Sequence, residues 1–201
     1  MLLVSTDWVF DGTQGGATEQ TPPNPINLYG FLKAASEMVV SERARRGSVA
    51  RIAAVQGSHR TPRDQDAGFG YFVSTLVERV RAGERFGVWE SDDINMIATP
   101  TLASDAAELM WRILERDLDG VFHCCGGEAV DRGTLAMRAV QVFELDPALL
   151  DMGVRPPAEA LRAPVPYDTS LDATRTAAAL GVELPDVTEM LRRMCRELAP
   201  A

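Results

Sequence analysis

Tyr29 and Lys33 are the two residues of this 201-residue chain whose types and spacing point most directly to chemistry. Side chains four positions apart lie one above the other on the same face of a helix. A phenol ordinarily loses its proton at about pH 10, and an ammonium group within about 4 to 6 Å stabilises the phenolate. We therefore predict that Tyr29 can exchange a proton near neutrality, while further N–H donors of Lys33 can bind the hydroxyls of a cofactor ribose.

Lysine usage gives this pair more weight than its spacing alone. Lys33 is the only lysine among the 20 basic Lys and Arg residues, so the chain places its single compact ammonium one helical turn after a tyrosine. The competing interpretation is a surface tyrosine packed on the stem of a lysine, which is a common arrangement. On the pair by itself, both interpretations stay open.

Two hydroxyl side chains, Ser5 and Thr6, follow the apolar residues at the start of the chain. We expect them at the carboxyl end of the first strand, which is the edge where open parallel sheets bind ligands. A hydroxyl there could hydrogen-bond a substrate carbonyl and hold it against Tyr29. The alternative is that both hydroxyls only satisfy backbone groups at the strand end.

The elements that must position these residues alternate between apolar strands and helices. Strands are predicted at 1–10, 49–55, 86–90 and 121–125, and helices at 27–47, 70–82, 100–117, 131–145 and 185–198. Continuously apolar strands that alternate with helices are typical of a parallel sheet covered on both faces. We therefore predict an α/β fold.

Two segments between these elements have distinct compositions. Residues 12–27 are rich in Gly, Thr, Pro and Asn and are long for a connector, so we expect a functional loop. The helix that follows carries apolar residues at helical spacing, namely Leu28, Phe31, Leu32, Ala35, Met38 and Val39.

Charge and composition argue against several classes of partner. A net charge of -9 and a pI of ≈ 4.8 leave no basic face for nucleic acid. No apolar run approaches the roughly 20 residues that cross a bilayer, so we expect no membrane partner. Cys124, Cys125 and Cys195 fit neither a disulfide framework nor metal-ligand spacing. We therefore expect a cytoplasmic protein without a bound metal.

The remaining histidines and arginines are weaker candidates. His123 and the two adjacent cysteines are expected in the core, and His59 lies in a polar loop without a nucleophile beside it. Arg51, Arg60 and Arg63 could contact phosphates, but in a chain so rich in arginine a solvated charge is the simpler expectation.

The segments VSTDWVFDG, NLYGFLKAASE, RIAAVQG, ATPTLASDAAEL and GVFHCCGGEAVDR occur in an order and spacing that resemble the extended short-chain dehydrogenase/reductases. Within them the chain is most similar to the dTDP-4-dehydrorhamnose reductase group, with Trp8 at a position that is usually tyrosine. The resemblance covers nearly the whole chain. It implies the carboxyl-terminal part of a Rossmann-like doubly wound parallel sheet plus a small mixed α/β substrate-binding domain.

The resemblance also implies a reaction. In such enzymes NADP or NAD delivers hydride to the 4-keto group of a nucleotide-activated deoxysugar. It implies a catalytic trio of Thr6, Tyr29 and Lys33, in which Tyr29 supplies the proton, Lys33 holds the nicotinamide ribose and Thr6 polarises the carbonyl. The expected cofactor contacts are Lys33, Tyr29 and Ser5; the expected substrate contacts are Thr6, Asp7, Val9, Phe10 and Arg51.

The resemblance divides the chain into two regions. Residues 1–58 and 98–127 are expected to belong to the Rossmann-like domain that carries the trio. Residues 59–97 and 128–201 are expected to bind the nucleotide sugar, which is the small-molecule partner.

The chain departs from the family pattern at its start. Family members reach the STD block only after a glycine-rich strand–turn–helix segment, and no G-x-G-x-x-G spacing occurs in these residues. We therefore expect a truncated sequence whose first strand has an unpaired apolar edge. Hydride transfer is expected of an extended protein, in which such a segment precedes Met1, rather than of the 201 residues alone.

Three alternatives stay open at this stage. The chain could be a non-catalytic sugar-nucleotide-binding or regulatory module, like the regulatory subunit of methionine adenosyltransferase, or an epimerase of the same superfamily. A homo-oligomer is also open, because an unpaired strand edge favours association with another chain. Retention of the whole trio favours chemistry over a purely regulatory role.

Overall fold

The computed structural model describes residues 1–58 and 65–198. In those ranges the strands are β1 (Leu2–Thr6), β2 (Ser48–Ile52), β3 (Val55–Gln56), β4 (Phe86–Trp89), β5 (Ile97–Ala98), β6 (Thr101–Leu102), β7 (Gly120–His123), β8 (Val130–Asp131) and β9 (Leu150–Val154). The helices are α1 (Leu28–Arg43), α2 (Phe72–Arg81), α3 (Ala103–Glu115), α4 (Arg132–Val142), α5 (Thr174–Leu180) and α6 (Val187–Glu197).

A parallel sheet with the order β1–β2–β7 forms the first half of the fold. Val49 at its centre lies opposite Leu3 on one side and Val121 on the other. Helix α1 packs on one face, while α3 and α5 pack on the other over Ala50 and Phe122. The predicted α/β fold with a covered parallel sheet is therefore confirmed.

A second core lies beneath α2, α4 and α6, beside the parallel pair β4–β9. Its largest buried side chains are Phe72, Leu76, Phe86, Leu135, Met190 and Leu191. Apolar residues at helical spacing on three helices explain this core, because each helix buries one stripe against the other two. The predicted division into a trio-bearing region and a substrate region stays a prediction.

Several predicted boundaries are wrong, including the end of the first helix, which stops at Arg43 and not at 47. The first strand ends at Thr6, and Asp7–Val9 form a 3₁₀ turn. The second predicted strand breaks at Ala54, whose φ of 43° interrupts the extended backbone, and β3 then pairs with β6. Because Thr101–Leu102 complete that pair, α3 begins at Ala103 and not at Pro100.

Helix α1 presents its apolar stripe to the outside. Gly30, Glu37 and Val40 form its buried face, whereas Leu28, Phe31, Leu32, Met38 and Val39 are 56–72% exposed. Strand β1 lies at the sheet edge beside α1, with Val4 also exposed. The predicted apolar edge is therefore present in the structure.

The structure contains four elements that the sequence did not indicate, β5, β8, β9 and α5. It also ties the loop at 12–27 to the segment before α5. Ala17 forms a bridge with Leu171, its amide donates to the Ser170 carbonyl at 3.0 Å, and Thr176 donates to the buried Glu19 at 2.7 Å. These contacts show that the loop joins the carboxyl-terminal segment to the end of β1.

In the described ranges, every helix is too short or too polar to cross a bilayer.

Candidate functional site

The carboxyl end of β1 forms one wall of the candidate site. Thr6 caps the 3₁₀ turn, because its Oγ1 accepts a hydrogen bond from the Trp8 amide at 3.2 Å. The same hydroxyl donates to Asp7 Oδ1 at 3.0 Å. Thr6 thus satisfies a backbone group, as the alternative predicted, and also faces the cavity described below.

The first turn of α1 forms the second wall. Asn27 caps the helix by accepting from the Gly30 amide at 2.8 Å. A Cβ on Gly30 would lie 2.1 Å from the Trp8 carbonyl oxygen, so only glycine lets α1 approach the turn after β1 this closely. This approach places the half-exposed Tyr29 ring edge-on to Trp8, with 6.0 Å between ring centroids.

Lys33 connects α1 to β1. Its Nζ donates to the Val4 carbonyl at 3.0 Å and lies 5.9 Å from the centroid of the Tyr29 ring. An ammonium group has three N–H donors, so this bond leaves two for other acceptors. The predicted placement of both side chains on one helix face is therefore correct.

A cavity of about 340 Å³ lies between these walls. Thr6, Asp7 and Trp8 line it from the end of β1, and Tyr29 lines it from α1. The other lining residues are Ala54, Val55, Asp66, Asn95 and the segment 68–71. The structure therefore brings Thr6 and Tyr29 into one cleft. A keto group bound there could accept a hydrogen bond from Thr6 and a proton from Tyr29.

A larger cavity of about 880 Å³ shares Trp8, Asp66 and Gly68 with the first one. Two further aromatic side chains, Phe86 and Trp89, line it from β4. Arg79 of α2 and the exposed Arg162 also line it, which supplies two guanidinium groups. Aromatic faces beside guanidinium groups suit a ligand that combines a flat ring with phosphates.

Asp7 carries the most perturbed carboxyl group in this site. Its side chain is 4% exposed, and burial raises its pKa to about 6 against the opposing hydrogen bonds from the hydroxyls of Thr169 and Thr6. Burial also raises the pKa of Asp66 across the cavity, although the Gly68 amide and Arg132 oppose the shift. Both carboxyl groups thus hold protons at higher pH than they would in water.

Four residues that the sequence assigned to ligand contacts do not reach the cavity. Ser5 is buried and donates to Glu37 Oε1 at 2.5 Å. Arg51 is buried and bonds Glu37 at 2.7 Å, which occupies the guanidinium that was expected to contact substrate. Val9 and Phe10 are core residues with exposures of 0% and 3%.

His123, Cys124 and Cys125 lie in the core, as the sequence predicted. The His123 ring is fully buried, its Nδ1 lies 2.9 Å from the Asp172 carbonyl oxygen, and burial lowers its pKa. Burial raises the pKa of the Cys124 thiol to about 12, which makes this thiol a poor nucleophile. His59, Arg60 and Arg63 lie outside the described residues.

The side of the cavity opposite the end of β1 depends on Arg132, which the sequence did not indicate. Arg132 is fully buried, stacks 4.9 Å from the Phe69 ring and donates to the carbonyls of Asn95 and Asp66. It therefore holds the two backbone segments that face the end of β1. A single arginine at the start of a predicted helix carries no signal for such a role.

A parallel α/β sheet with a Tyr-x-x-x-Lys helix against a threonine at a strand end defines a Rossmann-like protein of the short-chain dehydrogenase/reductase type. Comparison with known proteins identifies the family within this class. The chain belongs to the family of the RmlD substrate binding domain, which it matches over residues 1–199.

Two relatives illustrate this membership. The chain is 26% identical over 183 residues to methionine adenosyltransferase 2 subunit beta of Xenopus tropicalis, covering 87% of this chain and 51% of the relative. It is 24% identical to dTDP-4-dehydrorhamnose reductase of Aggregatibacter actinomycetemcomitans, covering 96% of this chain and 65% of the relative. The chain thus spans about half to two thirds of the length of these two relatives.

A solved structure confirms the fold. The dTDP-4-dehydrorhamnose reductase of Bacillus anthracis, crystallised in complex with NADP, superimposes with a TM-score of 0.80 at 22% identity. The match covers 98% of this chain and 65% of that one.

Proposed function

We propose that this chain forms the substrate-binding and proton-donating part of an NAD(P)H-dependent reductase of nucleotide-activated 4-keto deoxysugars. The observation that carries the proposal is the shared cavity of Thr6 and Tyr29, with Lys33 beside the phenol. The names of two relatives, one of them crystallised with NADP, give the same substrate class.

Each of the two cavities would hold a different part of the ligand. The 340 Å³ cavity would receive the keto sugar, with its carbonyl oxygen near Thr6 and Tyr29. The adjoining 880 Å³ cavity would receive the nucleotide, with the base against Trp89 and the phosphates near Arg162. Trp8 lines both cavities and would lie at the junction between sugar and nucleotide.

The residues near Tyr29 fit the ribose end of a nicotinamide cofactor. The Lys33 ammonium is held by a single described carbonyl, at 3.0 Å, and has donors left for ribose hydroxyls. The cofactor supplies a hydride when it is bound. During the reaction Thr6 would orient the keto oxygen, Tyr29 would give it a proton, and the positive charge of Lys33 would stabilise the phenolate that Tyr29 becomes.

A regulatory module is the second candidate function, because methionine adenosyltransferase 2 subunit beta is among the relatives. Such a module would bind its ligand or partner without turnover. Formation of a reduced sugar therefore separates the two functions.

We also propose that the exposed stripe of α1 packs on a second copy of the chain. Exposed apolar residues at helical spacing are typical of helix–helix contacts. Light scattering over a concentration series would give a mass above that of one chain; a single-chain mass at every concentration would contradict this.

Replacing Trp89 by alanine should weaken binding of dTDP to the 201-residue chain about tenfold. Stacking of a base on an aromatic side chain contributes roughly 1 to 3 kcal/mol, and about 1.4 kcal/mol corresponds to a factor of ten. Isothermal titration calorimetry measures the change. The matched control is Trp111→Ala, because Trp111 is 61% exposed and lies on α3, outside the residues that line the two cavities. Equal losses in both variants would contradict the assignment of the larger cavity.

A further inference from the structure

Asp7 is a buried carboxyl group in the candidate site for which the proposed reaction has no assigned step. It lines the same cavity as Thr6 and Tyr29 and is only 4% exposed. Both of its oxygens are engaged by hydroxyl groups. Thr6 donates to Oδ1 at 3.0 Å, and Thr169 donates to Oδ2 at 2.5 Å.

The direction of the Thr169 hydroxyl is fixed by its neighbour. Asn95 donates its side-chain amide to Thr169 Oγ1 at 3.1 Å. The single hydrogen of Thr169 has two acceptors within reach, Asp7 Oδ2 at 2.5 Å and Asn95 Oδ1 at 3.4 Å, and it goes to the much closer Asp7. The oxygen of Asp7 that is left to take up a proton is therefore Oδ1, which faces Thr6.

The Thr6 hydroxyl also has only one hydrogen to donate. Its oxygen already accepts from the Trp8 amide at 3.2 Å, and its single hydrogen goes to Asp7 while that carboxyl is ionised. In this state Thr6 has no hydrogen for a substrate carbonyl. When Asp7 Oδ1 is protonated, the carboxyl donates to Thr6 Oγ1 and the Thr6 hydrogen turns to the cavity.

We propose that Asp7 is a positioning residue that sets the direction of the Thr6 hydroxyl, so that Thr6 donates to a bound keto oxygen only while Asp7 carries a proton. The proposal rests on the proposed reductase function for its consequence, and on the four hydrogen bonds above for its geometry. No bond to substrate is made or broken by Asp7, and its proton stays between Oδ1 and Thr6 Oγ1.

The electrostatic surroundings place this switch near neutrality. Burial raises the pKa of Asp7 to about 6, so the carboxyl is protonated below that pH and ionised above it. Among the described residues, the titratable groups that face Asp7 do not include a close cation. They are Tyr29, Asp66 and Tyr71 around the cavity and the Cys125 thiol, whose pKa burial raises.

The kinetic test compares pH profiles of kcat for the extended protein, with NADPH and a dTDP-4-keto-6-deoxy sugar. Wild-type kcat should fall about tenfold per pH unit above about pH 6, as the protonated fraction of Asp7 falls. Asp7→Asn should abolish this fall. The asparagine carbonyl accepts from Thr169, and its amide donates permanently to Thr6.

Thr169→Val provides an independent variant in case Asp7→Asn alters folding. It removes a hydrogen bond that stabilises the ionised form, so the fall in kcat should move to higher pH. A purely structural role would lower kcat by one factor at every pH and leave the midpoint in place. An unchanged midpoint in both variants would overturn the proposal.

A second readout does not need turnover. In the 201-residue chain with ¹³C-labelled threonine methyl groups, the Thr6 and Thr169 signals should shift together with a midpoint near pH 6, and Asp7→Asn should remove the shift. A Thr6 signal that stays constant from pH 4.5 to 8 would overturn the proposal. If the shift is present but no form of the extended protein reduces the sugar, the reductase function fails while the coupling of Asp7 to Thr6 stands.

Discussion

Tyr29→Phe is expected to lower kcat for reduction of a dTDP-4-keto-6-deoxy sugar by roughly 10² to 10⁴-fold in the extended protein, the usual contribution of a positioned proton donor. The substitution removes only the phenolic oxygen. The ring would keep its edge-on contact with Trp8, at 6.0 Å between centroids. Binding of dTDP and thermal stability should therefore stay close to wild type.

The matched control for this experiment is Tyr167→Phe. Tyr167 is 39% exposed and does not line the cavity that Thr6 and Tyr29 share. Removal of the phenolic oxygen from Tyr167 should leave kcat unchanged. Rates for Tyr29→Phe within a factor of two of wild type would remove Tyr29 from the mechanism.

Arg51→Ala is expected to lower the free energy of unfolding by about 3 to 5 kcal/mol, which is typical when one partner of a buried ion pair is removed. The side chains of Arg51 and Glu37 are 2% and 7% exposed, and the guanidinium bonds both carboxylate oxygens, at 3.0 and 2.7 Å. Without Arg51 the Glu37 charge would remain buried between α1 and β1. Ser5, which donates to the same carboxylate, cannot neutralise it.

Two further variants separate the charge effect from loss of packing. Arg112→Ala breaks an exposed pair with Glu108 on α3, so it should cost less than about 0.5 kcal/mol. The double variant Arg51→Met, Glu37→Leu removes both charges and keeps apolar volume, so it should recover most of the lost stability. Urea unfolding measures all three. A loss below about 1 kcal/mol for Arg51→Ala would show that the pair does not hold α1 on the sheet.

The positions of Thr6, Tyr29 and Lys33 could be predicted from sequence because the signals are local. Tyr29 and Lys33 are one helical turn apart, and the helix face that they share follows from that spacing. Thr6 could be placed at a strand end because an apolar run stops there. The carboxyl edge of a parallel sheet then brings the strand end and the helix start together.

Ser5 was assigned to the same site because it adjoins Thr6, and strand geometry explains why it points elsewhere. Successive residues of a strand project to opposite faces of the sheet. Thr6 therefore faces the cavity, whereas Ser5 turns inward to Glu37. Arg51 was expected to be a solvated charge or a substrate contact, because its partner, Glu37, lies on another element and no local pattern joins the two.

The exposed stripe of α1 shows a further limit of sequence patterns. Apolar spacing identified the helix, but its packed face is built from Gly30, Glu37 and Val40, with Ala34 partly buried beside them. Small residues let the helix lie close to the turn after β1, and the ion pair with Arg51 offsets the burial of a carboxylate. Hydrophobic periodicity alone cannot identify such a face.

Beyond the adjacent Thr6, the groups that fix Asp7, namely its partner Thr169 and the Asn95 that bonds Thr169, lie far from it in sequence. Thr169 is 162 residues away, and Asn95 belongs to the segment before β5. Neither position has a motif or a periodic pattern around it. These contacts depend on how the carboxyl-terminal segment crosses the end of β1, and that path is set by tertiary packing.

The most direct measurement of the central claim follows deuterium from the cofactor into the sugar. The extended protein is incubated with NADPH deuterated at nicotinamide C4 and a dTDP-4-keto-6-deoxy sugar, and the product is analysed by mass spectrometry and NMR. We expect a reduced sugar with one deuterium at its C4, and about 10² to 10⁴-fold less of it with Tyr29→Phe. A sugar that is bound but recovered unreduced and without deuterium would contradict the reductase and support a binding module.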